Sequence, residues 1–164
     1  MLSPSMEDYL KVIFRLSQGA RGPRVSEIAD AIQVRKPSVS KALRRLSESG
    51  YVEHVPYGEV ALTDRGERVA IRQVHAFEVI ADFLEQVLGL SREEAEKEAG
   101  GIEHCTGPET VHRLEHFLQF VRSAPPEARG WVEGFVASIP ARESAGGEGP
   151  DDFIEGERSW TSPV

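Results

Sequence analysis

Residues 25–50 read VSEIADAIQVRKPSVSKALRRLSESG, and this stretch restricts the fold more than any other. Val25, Ile28, Ala29 and Ile32 recur at helical spacing, and Ser26 is the expected cap of a short helix. The pattern breaks at Gln33, Val34 and Arg35. Pro37 suits the first turn of a second helix, because its fixed φ is helical and its missing N–H has no partner there. Val39, Leu43 and Leu46 give that helix an apolar face, which leaves Arg35, Lys36, Lys41, Arg44 and Arg45 on or near the other side with Ser38 and Ser40. A short helix, a turn and a basic, hydroxyl-bearing second helix make the sequence form of a helix-turn-helix reader of double-stranded DNA.

The following residues predict a wing. Residues 51–55 and 60–62 are strand-like, and Pro56, Tyr57, Gly58 and Glu59 between them have turn composition. Thr63 then caps a long helix running from Asp64 to about Leu88, where Gly89 ends it. Ahead of the reader, residues 5–16 form a helix with Ser5 as its expected cap and Glu7 and Asp8 in its first turn. The Gly-rich segment around Gly19 and Gly22 lacks the Lys-Ser/Thr of a phosphate loop and serves as a connector.

Net charge is −8, which alone argues against a nucleic-acid binder, but the charge is uneven. Residues 1–72 hold twelve Lys/Arg against nine Asp/Glu, a balance of +3, and the remainder carries −11. Residues 35–45 hold five basic side chains and no acidic one. That is a local electrostatic footprint on an otherwise acidic chain.

The single cysteine, Cys105, excludes an internal disulfide and fits a reducing cytoplasm. No apolar run reaches the roughly 18 residues of a membrane span, and the N-terminus lacks the basic and apolar regions of a secretory signal. The expected setting is cytoplasmic, with no membrane partner.

Beyond the long helix, Ser91 and Glu94 form a capping-box pattern for a helix that reaches Glu103 and His104. Residues 109–122 form another amphipathic helix, and Pro125-Pro126 breaks it. Trp131, Val132, Phe135, Val136 and Ile139 mark a last short helix, with Trp131 and Phe135 expected in the core. The predicted fold class is mainly α with a small β wing: a winged helix-turn-helix domain (1–72), then a helical dimerisation domain (73–140). Residues 141–164, rich in Gly, Ser, Pro and acid, read as a flexible acidic tail. A reader this small contacts one half-site, so a homodimer on a palindromic operator is expected.

PSMEDYLKVIFRL, RVSEIADAIQVRKPSVSKALRRLSESGYVEH, ALTDRGERVA and GGIEHCTGPETVHRLEHFL, in this order, resemble the diphtheria-toxin-repressor family over roughly residues 3–122. By length the manganese transport regulator branch, without a C-terminal SH3-like domain, is the closer type. The resemblance implies a homodimeric repressor that binds operator DNA when a divalent metal, Mn²⁺ or Fe²⁺, sits between reader and dimer module.

The family's ligand positions match Asp8, Glu103 and His104 in this chain. Three others depart. Lys11 stands where manganese regulators use a bridging carboxylate, Phe77 where a His is usual, and Gly100 where a Cys or Glu is usual. Ala81 replaces a carboxylate one turn after Phe77. A single mononuclear oxygen/nitrogen site is therefore expected, with Glu96, Glu98 or water as the fourth donor. His75 lies about 200° round the helix from Phe77 and is a poor replacement.

Two further readings compete with this one. A regulator of the same fold can have lost metal control. Alternatively, His112 and His116, in the pattern H-x-x-E-H, suggest a metal-dependent hydrolase, although no third ligand is evident. The expectation is a regulator and not an enzyme.

Overall fold

A computed structural model describes residues 2–19, 21–54 and 58–139. The expected acidic tail and most of the wing turn lie outside the described residues. Seven helices are seen among them: α1 (Pro4–Leu16), α2 (Val25–Ile32), α3 (Lys36–Glu48), α4 (Asp64–Gln86), α5 (Arg92–Ile102), α6 (Pro108–Ser123) and α7 (Pro126–Ser138). A single 3-10 turn, Glu103–Cys105, joins α5 to α6. Two strands, β1 (Val52–His54) and β2 (Val60–Leu62), pair antiparallel with Val52 opposite Leu62 and His54 opposite Val60.

Local chemistry sets the helix starts, and two differ from expectation. Pro4 favours the first turn, so α1 begins before Ser5 and Ser3 is its cap residue. At α2 the Glu27 carboxylate accepts from the Arg24 N–H at 2.7 Å, so the cap lies at Arg24 rather than at Ser26. The same carboxylate is ion-paired to Arg21, and these two contacts hold its pKa down to about 2. Thr63 caps α4 as expected, its hydroxyl accepting from the Gly66 N–H at 3.1 Å. Ser91 and Glu94 form the predicted reciprocal cap of α5. The turn between α2 and α3 places Gln33 in the left-handed region at φ 58°.

Three apolar clusters share one spine. Leu10, Ile13, Ile28, Val39, Leu43, Leu46 and Val60 are fully buried and lock α1, α2, α3 and the wing together. Ala70 on α4 belongs to this cluster. Further along α4, Ile80, Ala81 and Leu84 pack on Ala95 and Ala99 of α5, while Ala76, Val79 and, just past the helix end, Val87 pack on Val111 and Leu118 of α6. The small residues Ala81, Ala95 and Ala99 are completely buried, which fits a close approach of α4 and α5. Helix α4 thus runs unbroken from the reader into the C-terminal helices. It brings the start of α1 against the end of α5, and the candidate site forms there.

The wing is fixed to α4 by a tight contact. A Cβ on Gly66 would lie 1.9 Å from the Tyr51 carbonyl oxygen, so only glycine fits. At the other end of α4, Gly89 adopts φ 74°, and a Cβ there would meet Val136 of α7 at 2.6 Å. Trp131 and Phe135 were expected in the core but are 52% and 44% exposed. They line one side of an apolar groove of about 440 Å³ with Phe83, Val87, Leu114 and Phe117.

Candidate metal centre and nucleic-acid interface

Helix α1 presents Asp8 one turn after its N-terminus, and the 3-10 turn presents Glu103 and His104. One ligand atom from each of these three residues lies within 4.8 Å of the others. The His104 Nε2 atom is 3.3 Å from Asp8 Oδ1 and 3.7 Å from Glu103 Oε1. His104 Nδ1 is 3.3 Å from Glu7 Oε2, so α1 supplies an acidic partner to each ring nitrogen. Such a partner orients the imidazole and fixes its tautomer. The Glu103 side chain is fully buried, and its Oε2 atom has no hydrogen-bond partner among the described residues. The Asp8 side chain is 43% exposed and forms the open side.

Two carboxylates and an imidazole in this arrangement can hold one divalent ion of intermediate or hard character. An orphaned, buried carboxylate oxygen fits the same use, because such an atom otherwise carries an uncompensated desolvation cost. Lys11, however, enters the same space. It is buried, and its Nζ pairs with Glu103 Oε1 and lies 3.5 Å from Asp8 Oδ1. The Phe77 ring lies beneath it, 5.0 Å from Nζ to the ring centroid.

The other expected ligands fall elsewhere. Glu96 is exposed and engages Arg92 at 2.7 Å, and Glu98 is exposed on α5; neither joins the trio. Gly100 faces open space, since a Cβ there would meet nothing within 4 Å. Ala81 lies inside the α4–α5 core, so packing has taken the place of a carboxylate. His75 pairs with Glu115 at 3.5 Å and does not reach the trio. His112 and His116 are exposed, their rings 4.3 Å apart, with no third donor grouped with them among the described residues. Lys11 as an occupant of the trio was missed from the sequence, where it read only as a lost ligand.

The α3 face is built as predicted. Val39, Ala42, Leu43 and Leu46 are buried, while Arg35, Lys36, Pro37, Ser38, Ser40, Lys41, Arg44 and Arg45 are all exposed. None of these five cations makes a salt bridge among the described residues. An unpaired cationic face with a proline at the helix start is a surface suited to phosphates and base edges. Among the described residues, no helix is long and apolar enough to cross a membrane.

Comparison with known proteins agrees with this layout. Residues 1–60 match the family described as iron dependent repressor, N-terminal DNA binding domain. Residues 63–130 match the iron dependent repressor metal binding and dimerisation domain. The chain is 33% identical over 120 residues to the HTH-type transcriptional regulator MntR of Shouchella clausii, covering 73% of this chain and 83% of that protein. The MntR of Bacillus subtilis is 32% identical over 120 residues, 73% of this chain and 84% of the relative. Among solved structures, a manganese-dependent transcriptional repressor in complex with manganese superimposes with a TM-score of 0.64 at 32% identity. That match covers 70% of this chain and 53% of the other, so the chain spans about half the length of that solved protein. The manganese regulator SloR gives the same TM-score at 29% identity, covering 73% of this chain and 55% of that one. The chain therefore belongs to the iron-dependent, diphtheria-toxin-type repressor family: metal-dependent, DNA-binding transcriptional repressors, not enzymes, that dimerise through their C-terminal domain.

Proposed function

We propose that Asp8, Glu103 and His104 bind a single Mn²⁺ or Fe²⁺ ion, and that this occupancy favours binding of a homodimer to a palindromic operator. The observation that carries the reading is the convergence of three donor residues from two parts of the fold. Two carboxylates and one imidazole suit manganese or ferrous iron, the softer thiolate being absent from the set. The two relatives are regulators named MntR, and one solved relative is named for its manganese dependence.

When bound, the ion would supply positive charge to the two carboxylates and accept the imidazole nitrogen as a donor. The chain's own residues do the rest. Asp8 belongs to the reader and Glu103 and His104 to the C-terminal module, so a shared ligand restricts the angle between them. In a dimer that angle sets the separation of the two α3 helices, which must match half-sites about one helical turn apart. The ion acts through its preference for that arrangement. On this reading residues 1–72 form the reader and 73–140 the metal and dimer module, with α4 continuous across the boundary.

At the interface, Arg35, Lys36, Pro37, Ser38 and Lys41 meet base edges. Ser40, Arg44 and Arg45 position α3 on the phosphates. Metal stoichiometry of the purified dimer tests the site. One Mn²⁺ per chain in the wild type and loss of binding in His104→Ala are expected; no binding by the wild type would leave a regulator without metal control.

A further inference from the structure

Lys11 is the one buried lysine among the described residues, and it sits where the three donors meet. Its Nζ donates to Glu103 Oε1 and lies 3.5 Å from Asp8 Oδ1. Those two oxygens are the ones His104 Nε2 approaches, at 3.7 and 3.3 Å. The ammonium therefore holds the same carboxylate oxygens that a divalent ion needs. Phe77 completes the seat, its ring face 5.0 Å from Nζ, in a cation–π arrangement that favours a positive charge there.

Electrostatics forbid joint occupancy. An ammonium and a divalent cation on the same two oxygens repel strongly at low effective dielectric. Equally, Glu103 left without a cation is a buried, uncompensated carboxylate, which is costly. One positive charge or the other is needed, and the chain carries its own.

Resting on the metal site proposed above, we propose that Lys11 is a tethered cation exchanged for the metal ion. Without metal its ammonium bridges Asp8 of α1 and Glu103 of the 3-10 turn, so the two modules stay tied. Metal binding requires the ammonium to leave, and the half-exposed Asp8 side of the site gives the flexible lysine a route to solvent. The exchange lowers metal affinity and makes the metal response graded, because the metal-free chain keeps part of the same tie.

The test replaces the ammonium and keeps the stem. Lys11→Met and Lys11→Gln remove the charge, and Lys11→Arg retains it. Mn²⁺ affinity is measured by calorimetry, and thermal midpoint is measured in chelator on the full chain. Both neutral variants are expected to bind Mn²⁺ at least tenfold more tightly than wild type and to melt several degrees lower in chelator. Lys11→Arg is expected to stay close to wild type in chelator. Neutral variants that fold only with Mn²⁺ present would be the same result in stronger form. Unchanged affinity and unchanged midpoint in chelator, with wild type binding Mn²⁺, would overturn the exchange while leaving the metal site standing. Absence of Mn²⁺ binding by wild type and neutral variants alike would overturn both, and variants unfolded with and without Mn²⁺ would overturn the exchange.

Discussion

Lys11 and Glu103, 92 residues apart in the chain, form the buried ion pair that joins the first helix to the 3-10 turn after α5. The pair lies where the reader and the dimerisation module meet. A contact so placed ties the first helix directly to the turn that carries Glu103 and His104. The Phe77 ring, 5.0 Å from Nζ and also 5.0 Å from the Arg15 guanidinium, adds a smaller favourable contact to that pair.

The wing contact gives a stability prediction. Gly66→Ala forces a methyl against the Tyr51 carbonyl, where 1.9 Å is available. The N-terminus of α4 must shift, and the Thr63 cap with it. A loss of about 2 kcal/mol or more is expected, lowering the melting midpoint by about 4–8 °C or more. Thr63→Ala, which removes the cap alone, should cost about 1 kcal/mol. Calorimetric melting checks both, and an unperturbed Gly66→Ala would contradict the packing described.

The proposed interface predicts different effects along α3. Arg35→Ala or Lys41→Ala is expected to change sequence preference as well as affinity, since both lie near the helix start. Arg45→Ala, a helical turn beyond Lys41, should weaken all sequences alike and lower the salt slope by about one. Binding of operator variants across a salt series distinguishes the two classes. Equal effects of all three substitutions would contradict the assignment.

The apolar side chains left exposed on the helices after residue 64 are expected at the dimer interface. Phe120 is 63% exposed, and Trp131 and Phe135 stand open beside the groove. Sedimentation of wild type at micromolar concentration is expected to give a dimer. Phe120→Glu or Trp131→Glu should shift the population to monomer and weaken operator binding by at least tenfold, because each monomer engages one half-site. A wild-type monomer with and without Mn²⁺ would contradict this.

Much of the fold was legible because each local signal agreed with the tertiary packing. The helix-turn-helix, the Thr63 and Ser91 caps and the α3 apolar face followed from spacing and capping chemistry. The cap residues of α1 and α2 did not, because Pro4 and Glu27 outcompeted Ser5 and Ser26. Trp131 and Phe135 were misplaced since an apolar residue at helical spacing does not say whether its cover comes from the same chain. The trio of Asp8, Glu103 and His104 was reached only through resemblance, as two of its members lie nearly a hundred residues from the third. Lys11 was invisible as an occupant for the same reason: nothing local shows that a lysine on α1 meets a carboxylate after α5.

Operator affinity at fixed salt, titrated with Mn²⁺ and then with chelator, for wild type and His104→Ala, tests the central claim most directly. Wild type is expected to gain at least tenfold in affinity with Mn²⁺ and to lose that gain in chelator. His104→Ala, folded and dimeric, should bind at the wild-type chelator level whether or not Mn²⁺ is present. Equal wild-type affinity in Mn²⁺ and chelator, or a full metal response in His104→Ala, would contradict the account.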